Sequence, residues 1–88
     1  MDEQASIEAF NAFLLRKQAH VDVELAPMQR PAQRLSCGWA FYYQSREFVD
    51  TGDFAKMLVG HGPVVIRDDG EIIEGGSLDR DPELLLSR

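Results

Sequence analysis

One cysteine and two histidines set the ceiling on the chemistry this chain can perform. A thiol nucleophile needs a histidine in reach, an electropositive setting and a third group to orient the base. Cys37 sits in Leu35-Ser36-Cys37-Gly38-Trp39, among neutral residues, and no third group accompanies His61. It reads as a structural or incidental thiol. His20 and His61 do not follow zinc spacing, in which Cys or His pairs recur at short intervals. Asp68-Asp69-Gly70-Glu71 lacks the alternating oxygen ligands and distal glutamate of a calcium loop. Gly60-His61-Gly62-Pro63 continues into proline where a phosphate loop requires Lys, then Ser or Thr, and a helix. Trp39, Phe41 and Tyr43 alternate as a base-stacking platform would, but such a platform is flanked by basic residues and this one by acids. No catalytic residue, cofactor or metal ligand is assigned, and the chain reads as a non-enzyme.

The elements that carry these residues follow an α+β pattern. Residues 4–17 predict a helix, with Ile7, Phe10 and Leu14 at helical spacing and Phe13 beside them. Glu3 and Glu8 come early, Arg16 and Lys17 late, as the helix dipole favours. Val21, Val23 and Leu25 alternate with Asp22 and Glu24, which predicts a half-buried strand with its acids outward. Pro27 and Pro31 bracket a loop. From 34 to 44 the alternation returns. Leu35, Cys37, Trp39, Phe41 and Tyr43 form the expected core face, and Tyr42 lies on the other. Residues 46–50 suggest a helical turn. Asp53 is placed to cap a helix bearing Phe54, Met57 and Leu58 and ending at Gly60. Asp69-Gly70 predicts a type I′ hairpin between residues 64–67 and 71–74. Pro82 opens a last short helix with Leu84, Leu85 and Leu86. The order is α-β-β-α-β-β-α. It predicts a single domain over residues 1–88, an antiparallel sheet of about four strands, and helices covering one face.

Composition narrows the partners. The chain has 88 residues and a net charge of −6, with 44% hydrophobic residues. That charge argues against nucleic acid, which calls for clustered Lys and Arg, and against an anionic membrane surface. It suits a protein partner with a basic surface. A lone cysteine, an acidic start at Met1-Asp2-Glu3-Gln4 and no long apolar run point to the cytoplasm.

The order Gly38-Trp39-x-Phe41, Thr51-Gly52-Asp53, Gly60-x-x-Pro63, then a strand and Asp69-Gly70, resembles the small bacterial YrhB-like proteins, also called the immunity protein 35 family. The likeness runs from about Leu35 to Leu86. It implies a small cytosolic α+β domain that binds and neutralises a toxin of a bacterial polymorphic toxin system. The family brings no catalytic residues, and its shared positions here are core aromatics, a cap and turn residues. Recognition then falls to outward positions. The candidates are Asp22 and Glu24 on the first strand, Tyr42 on the same side of the sheet, and Asp69 and Glu71 at the hairpin. The alternative is a small acidic chaperone-like or regulatory protein that binds several clients, suggested by Leu84-Leu85-Leu86. Neither the toxin nor the oligomeric state is specified by these residues.

Overall fold

The computed structural model describes residues 1–28 and 32–87. Among these, α1 (Glu3–Gln18) is followed by β1 (Leu25–Pro27), β2 (Gln33–Arg34), β3 (Gly38–Phe41), β4 (Tyr43–Ser45), α2 (Arg46–Thr51), a 3-10 turn (Phe54–Lys56), β5 (Val64–Arg67), β6 (Ile72–Glu74) and α3 (Pro82–Leu85). The α+β class holds, with an antiparallel four-stranded sheet in the order β2-β3-β5-β6 and a two-stranded sheet of β1 and β4. Asp2 starts α1 by accepting the Ala5 N–H at 2.8 Å. The loop expected between Pro27 and Pro31 falls on residues 29–31, outside the described residues.

The register decides the faces. Trp39 lies opposite Ile66 and Phe41 opposite Val64, so these four share one face; Ala40 and Val65 share the other. On the first face α1 packs Phe10, Phe13 and Leu14. The Phe10 ring stacks on Phe41 at 4.6 Å between centroids. Trp39 is half-buried at the edge of this core, its indole N–H donating to the Met1 carbonyl at 3.2 Å. On the second face α3 places Leu85, only 1% exposed, against Leu35, Ala40 and Val65. The helices therefore cover both faces, not one. The reason lies in Val64-Val65-Ile66: a continuous apolar run is apolar on both sides and must be covered twice.

Residues 34–44 are not one strand. Leu35 N–H donates to the Gly38 carbonyl at 2.8 Å and closes a tight turn between β2 and β3. That turn sends Leu35 to the second face and leaves Cys37 exposed, so neither belongs to the Trp39 face. Gly38 is required by close approach: a Cβ there would lie 2.6 Å from the Ile66 carbonyl oxygen. At Tyr42 the chain leaves the larger sheet, and β4 pairs with β1 as Leu25↔Ser45 and Pro27↔Tyr43.

Three further expectations are corrected. Val21 and Val23 are exposed and precede the strand. The Gln18 side chain accepts from Leu25 N–H at 2.7 Å and donates to the Val23 carbonyl at 2.8 Å, tying this segment to the end of α1 rather than to a ladder. Asp53 does cap, but only the three-residue turn. Beyond it, β4 side chains take the backbone: Ser45 Oγ donates to the Lys56 carbonyl at 2.6 Å, and the Gln44 amide bonds both the N–H and the carbonyl of Leu58. Helical bonds are thereby pre-empted, and Phe54 projects into solvent. Finally, the β5–β6 hairpin is present but is not type I′. Among the described residues only glycines have positive φ, Gly70 at 95°. Gly70 N–H donates to the Arg67 carbonyl and Arg67 N–H to the Glu71 carbonyl, both at 2.8 Å. This is a three-residue loop with a left-handed glycine, so Asp69 keeps an ordinary backbone.

Candidate interaction surfaces

The groups that could have carried chemistry are separated and spent. His61 Nε2 lies 2.8 Å from the Tyr43 carbonyl oxygen, and its ring stacks on Tyr43 at 4.5 Å. Cys37 precedes β3 and its carbonyl accepts from Asp68 N–H, so thiol and imidazole belong to opposite ends of the β3–β4 stretch. Among the described residues no cluster of three or more His, Cys, Asp or Glu could hold a metal ion. No helix among them is long and apolar enough to cross a membrane.

The five candidate contact residues do not form one surface. Asp69 and Glu71 stand at the hairpin tip, 3.7 and 3.9 Å from Arg67 Nε. That buried nitrogen has no hydrogen bond, so the two carboxylates compensate its charge. The tip lies at the start of α1, where the Met1 amine approaches Asp68 at 3.7 Å. Asp22 and Glu24 lie at the other end, beside Gln18, and Glu24 pairs with Arg46 Nε at 3.1 Å. A helix of 16 residues spans about 24 Å and separates the two acidic pairs. Tyr42 joins neither. It is half-buried, and its carbonyl accepts from Met28 N–H. It borders a groove of about 370 Å³ with Ile7, Phe10 and Met28, and a second of about 330 Å³ with His61 and Arg80. Arg46, the partner of Glu24, lies four residues along from Tyr42, about 13 Å in extended chain. Of the three residues expected on one side, Asp22 precedes the strand, which begins only at Leu25, while Glu24 and Tyr42 flank the β1–β4 ladder, their carbonyls accepting from Arg46 N–H and Met28 N–H.

The ion pairs show which acids are committed to the fold. Asp68 accepts two bonds from the Arg34 guanidinium, at 2.8 and 3.1 Å. These bonds hold its carboxyl below the usual carboxylate range and raise the pKa of Arg34. Glu83 accepts from Ser36 N–H and Oγ–H, which lowers its pKa and fastens α3 to the β2–β3 turn. Lys17 donates to Glu74 at 2.7 Å, and that bond raises the lysine pKa.

Sequence reasoning missed a surface by setting Phe54, with Met57 and Leu58, on a helix after Asp53. Phe54 is 77% exposed and Val59 82%. Met57 and Val23 are also exposed, and Val23, Met57, Leu58 and Glu47 line one cleft of about 270 Å³. That is below the roughly 300–1,000 Å³ of small-molecule pockets and on the scale of a partner's side chain. The signal for this surface was available in β4: Gln44 and Ser45 are polar residues placed to take the backbone of whatever packs beside them.

The structure thus defines a small α+β domain whose unspent features are exposed apolar and acidic surface. The family model for immunity protein 35 matches residues 7–84, and the chain belongs to that family. Over 40 residues it is 50% identical to uncharacterized protein YrhB of Escherichia coli (strain K12), a match covering 44% of this chain and 43% of that relative. The matched region is therefore less than half the length of that relative. No solved structure matches the chain.

Proposed function

We propose that the protein is a cytoplasmic immunity protein that neutralises a cognate bacterial toxin of a polymorphic toxin system by binding it, with no chemistry of its own. The family match over residues 7–84 carries this reading. The fold supports it in two ways. Asp68 and Glu83, whose carboxyls are held below the usual range, serve an ion pair with Arg34 and the attachment of α3 to the β2–β3 turn. Its net charge of −6 favours a toxin with a basic surface, for which opposite charge speeds encounter. Asp22, Glu24, Tyr42, Asp69 and Glu71 are proposed as contact or steering residues, the two acidic pairs acting from opposite ends of α1. For the alternative, a chaperone-like protein with several clients, the apolar tail offers Leu84, 67% exposed, while Leu85 is buried and Leu86 half-buried against the sheet.

The test is protection. The toxin domain encoded beside this gene is expressed in a sensitive host with and without the protein. Rescue of growth together with a stoichiometric complex in vitro is the expected result. Unprotected cells, with binding instead to heat-denatured model clients, would refute the proposal.

A further inference from the structure

We propose that the face formed by Val23, Phe54, Met57 and Val59 docks the partner, with Phe54 as its anchor, and that the docked surface is a lysine- and arginine-rimmed protein surface. This rests on the immunity reading and names the surface that serves it. Large apolar side chains standing clear of the core of so small a domain mark a contact site when they are contiguous and rimmed by polar groups. Here Val23 and Met57 line one cleft with Ala55 and Leu58, and Phe54, next to Ala55 on the same turn, leans its ring on Phe48 at 5.8 Å.

The face is also held in place. Asp53 caps the 3-10 turn, Ser45 and Gln44 hold the backbone at Lys56 and Leu58, and Gln18 holds it at Val23. A surface already ordered before binding loses less conformational freedom on docking. Its side chains are not needed to fill the core, which closes without them.

The rim identifies the occupant. Around the turn, Glu24, Glu47, Asp50 and Asp53 set four carboxylates against the two cations Arg46 and Lys56. Those cations already meet Glu24, Asp50 and Glu47. A second copy of the chain would set this acidic rim against its own kind across a twofold interface, where like charges repel. An anionic membrane is disfavoured for the same reason. A basic toxin surface is favoured on both counts, with an apolar pocket for Phe54 and cations around it.

The experiment uses the full chain and the toxin domain encoded beside it. Association and dissociation are measured for the parent, for Phe54→Ala, for Glu47→Lys with Asp50→Lys, and for Leu15→Ala, an equally exposed leucine on α1. Sedimentation of each variant reports self-association, and thermal melting confirms folding. Phe54→Ala should weaken binding by about 30-fold or more, mainly through faster dissociation. The double charge reversal should slow association by about tenfold at low salt and flatten its salt dependence. Leu15→Ala should bind as the parent does. If the parent binds and protects while the Phe54 and charge variants match it, the surface is wrong and the immunity reading stands. A parent that forms dimers broken by Phe54→Ala assigns the face to self-association and also overturns the proposal. A parent that neither binds nor protects removes both.

Discussion

The same substitution at two phenylalanines should have opposite consequences. Phe10 is 2% exposed and stacks on Phe41 within the core between α1 and the sheet. Truncation to alanine there costs about 3–5 kcal/mol. A chain of 88 residues has a total stability of roughly 4–13 kcal/mol, so much of it would be lost. For a domain of this size each kcal/mol moves the melting temperature by about 4–8 °C, which places the Phe10→Ala drop on the order of 12–40 °C. Phe54 is 77% exposed, and only its ring contact with Phe48 is at stake. Phe54→Ala should cost no more than about 1 kcal/mol, or less than about 8 °C. Both are read by far-ultraviolet circular dichroism on heating, with urea denaturation to obtain ΔG and to check that the denaturant slope is unchanged. Should Phe10→Ala fail to fold, Phe10→Leu keeps more of the volume and leaves a measurable transition. Equal losses at the two positions, or a larger loss at Phe54, would place Phe54 in the core and dissolve the surface built around it.

Other expectations follow from single contacts. Gly38→Ala should destabilise by about 1–3 kcal/mol because a Cβ collides with the Ile66 carbonyl, and an unchanged urea midpoint would refute that packing. Ser45→Ala should cost about 1–3 kcal/mol, since the Lys56 carbonyl and the Phe48 N–H both lose their partner; hydrogen exchange at Phe48 should rise, and a protected Phe48 would count against the cap. Asp68 and Glu83 are both held below the usual carboxylate range, so the stability they add is complete above that range and drains away as pH falls through their depressed folded-state values. Asp68→Asn should therefore lower the melting temperature at neutral pH and shrink the difference from the parent in acid; parallel profiles would show that the Arg34 pair is energetically silent. Cys37→Ser should leave both melting and toxin binding unchanged, because the thiol is exposed at a turn; loss of protection by a folded variant would contradict its passive role.

Where residue pattern alone dictates backbone, the sequence was readable. α1 was legible from Ile7, Phe10 and Leu14, and the hairpin from Asp69-Gly70. The pairing of Trp39 with Phe41 on the helix side was legible from simple alternation. What resisted reading was backbone held by distant side chains. Alternation through Leu35 and Cys37 was a coincidence of spacing, because a tight turn inverts the chain before Gly38. Val21-Asp22-Val23 looked like a strand, but the Gln18 amide claims the Val23 carbonyl and the Leu25 N–H. Phe54 looked like the apolar face of a helix that Gln44 and Ser45 do not allow to form. The turn type was misjudged because the hairpin loop has three residues. The candidate site suffered from the same cause: its acids were chosen from a strand that begins later than expected.

The fastening of the segment after Asp53 bears on how such a protein can change. Its main chain is gripped by Gln44 and Ser45, residues of a neighbouring strand, at the Leu58 and Lys56 backbone groups. The grip reads backbone atoms, which every amino acid supplies. Phe54 and Val59 are more than three-quarters exposed, so their identities can drift at little cost to the scaffold. Specificity and stability are thus encoded at different positions. A lineage facing an altered partner can rewrite the recognised shape one exposed residue at a time, while selection for folding acts on two polar side chains that the partner never has to touch.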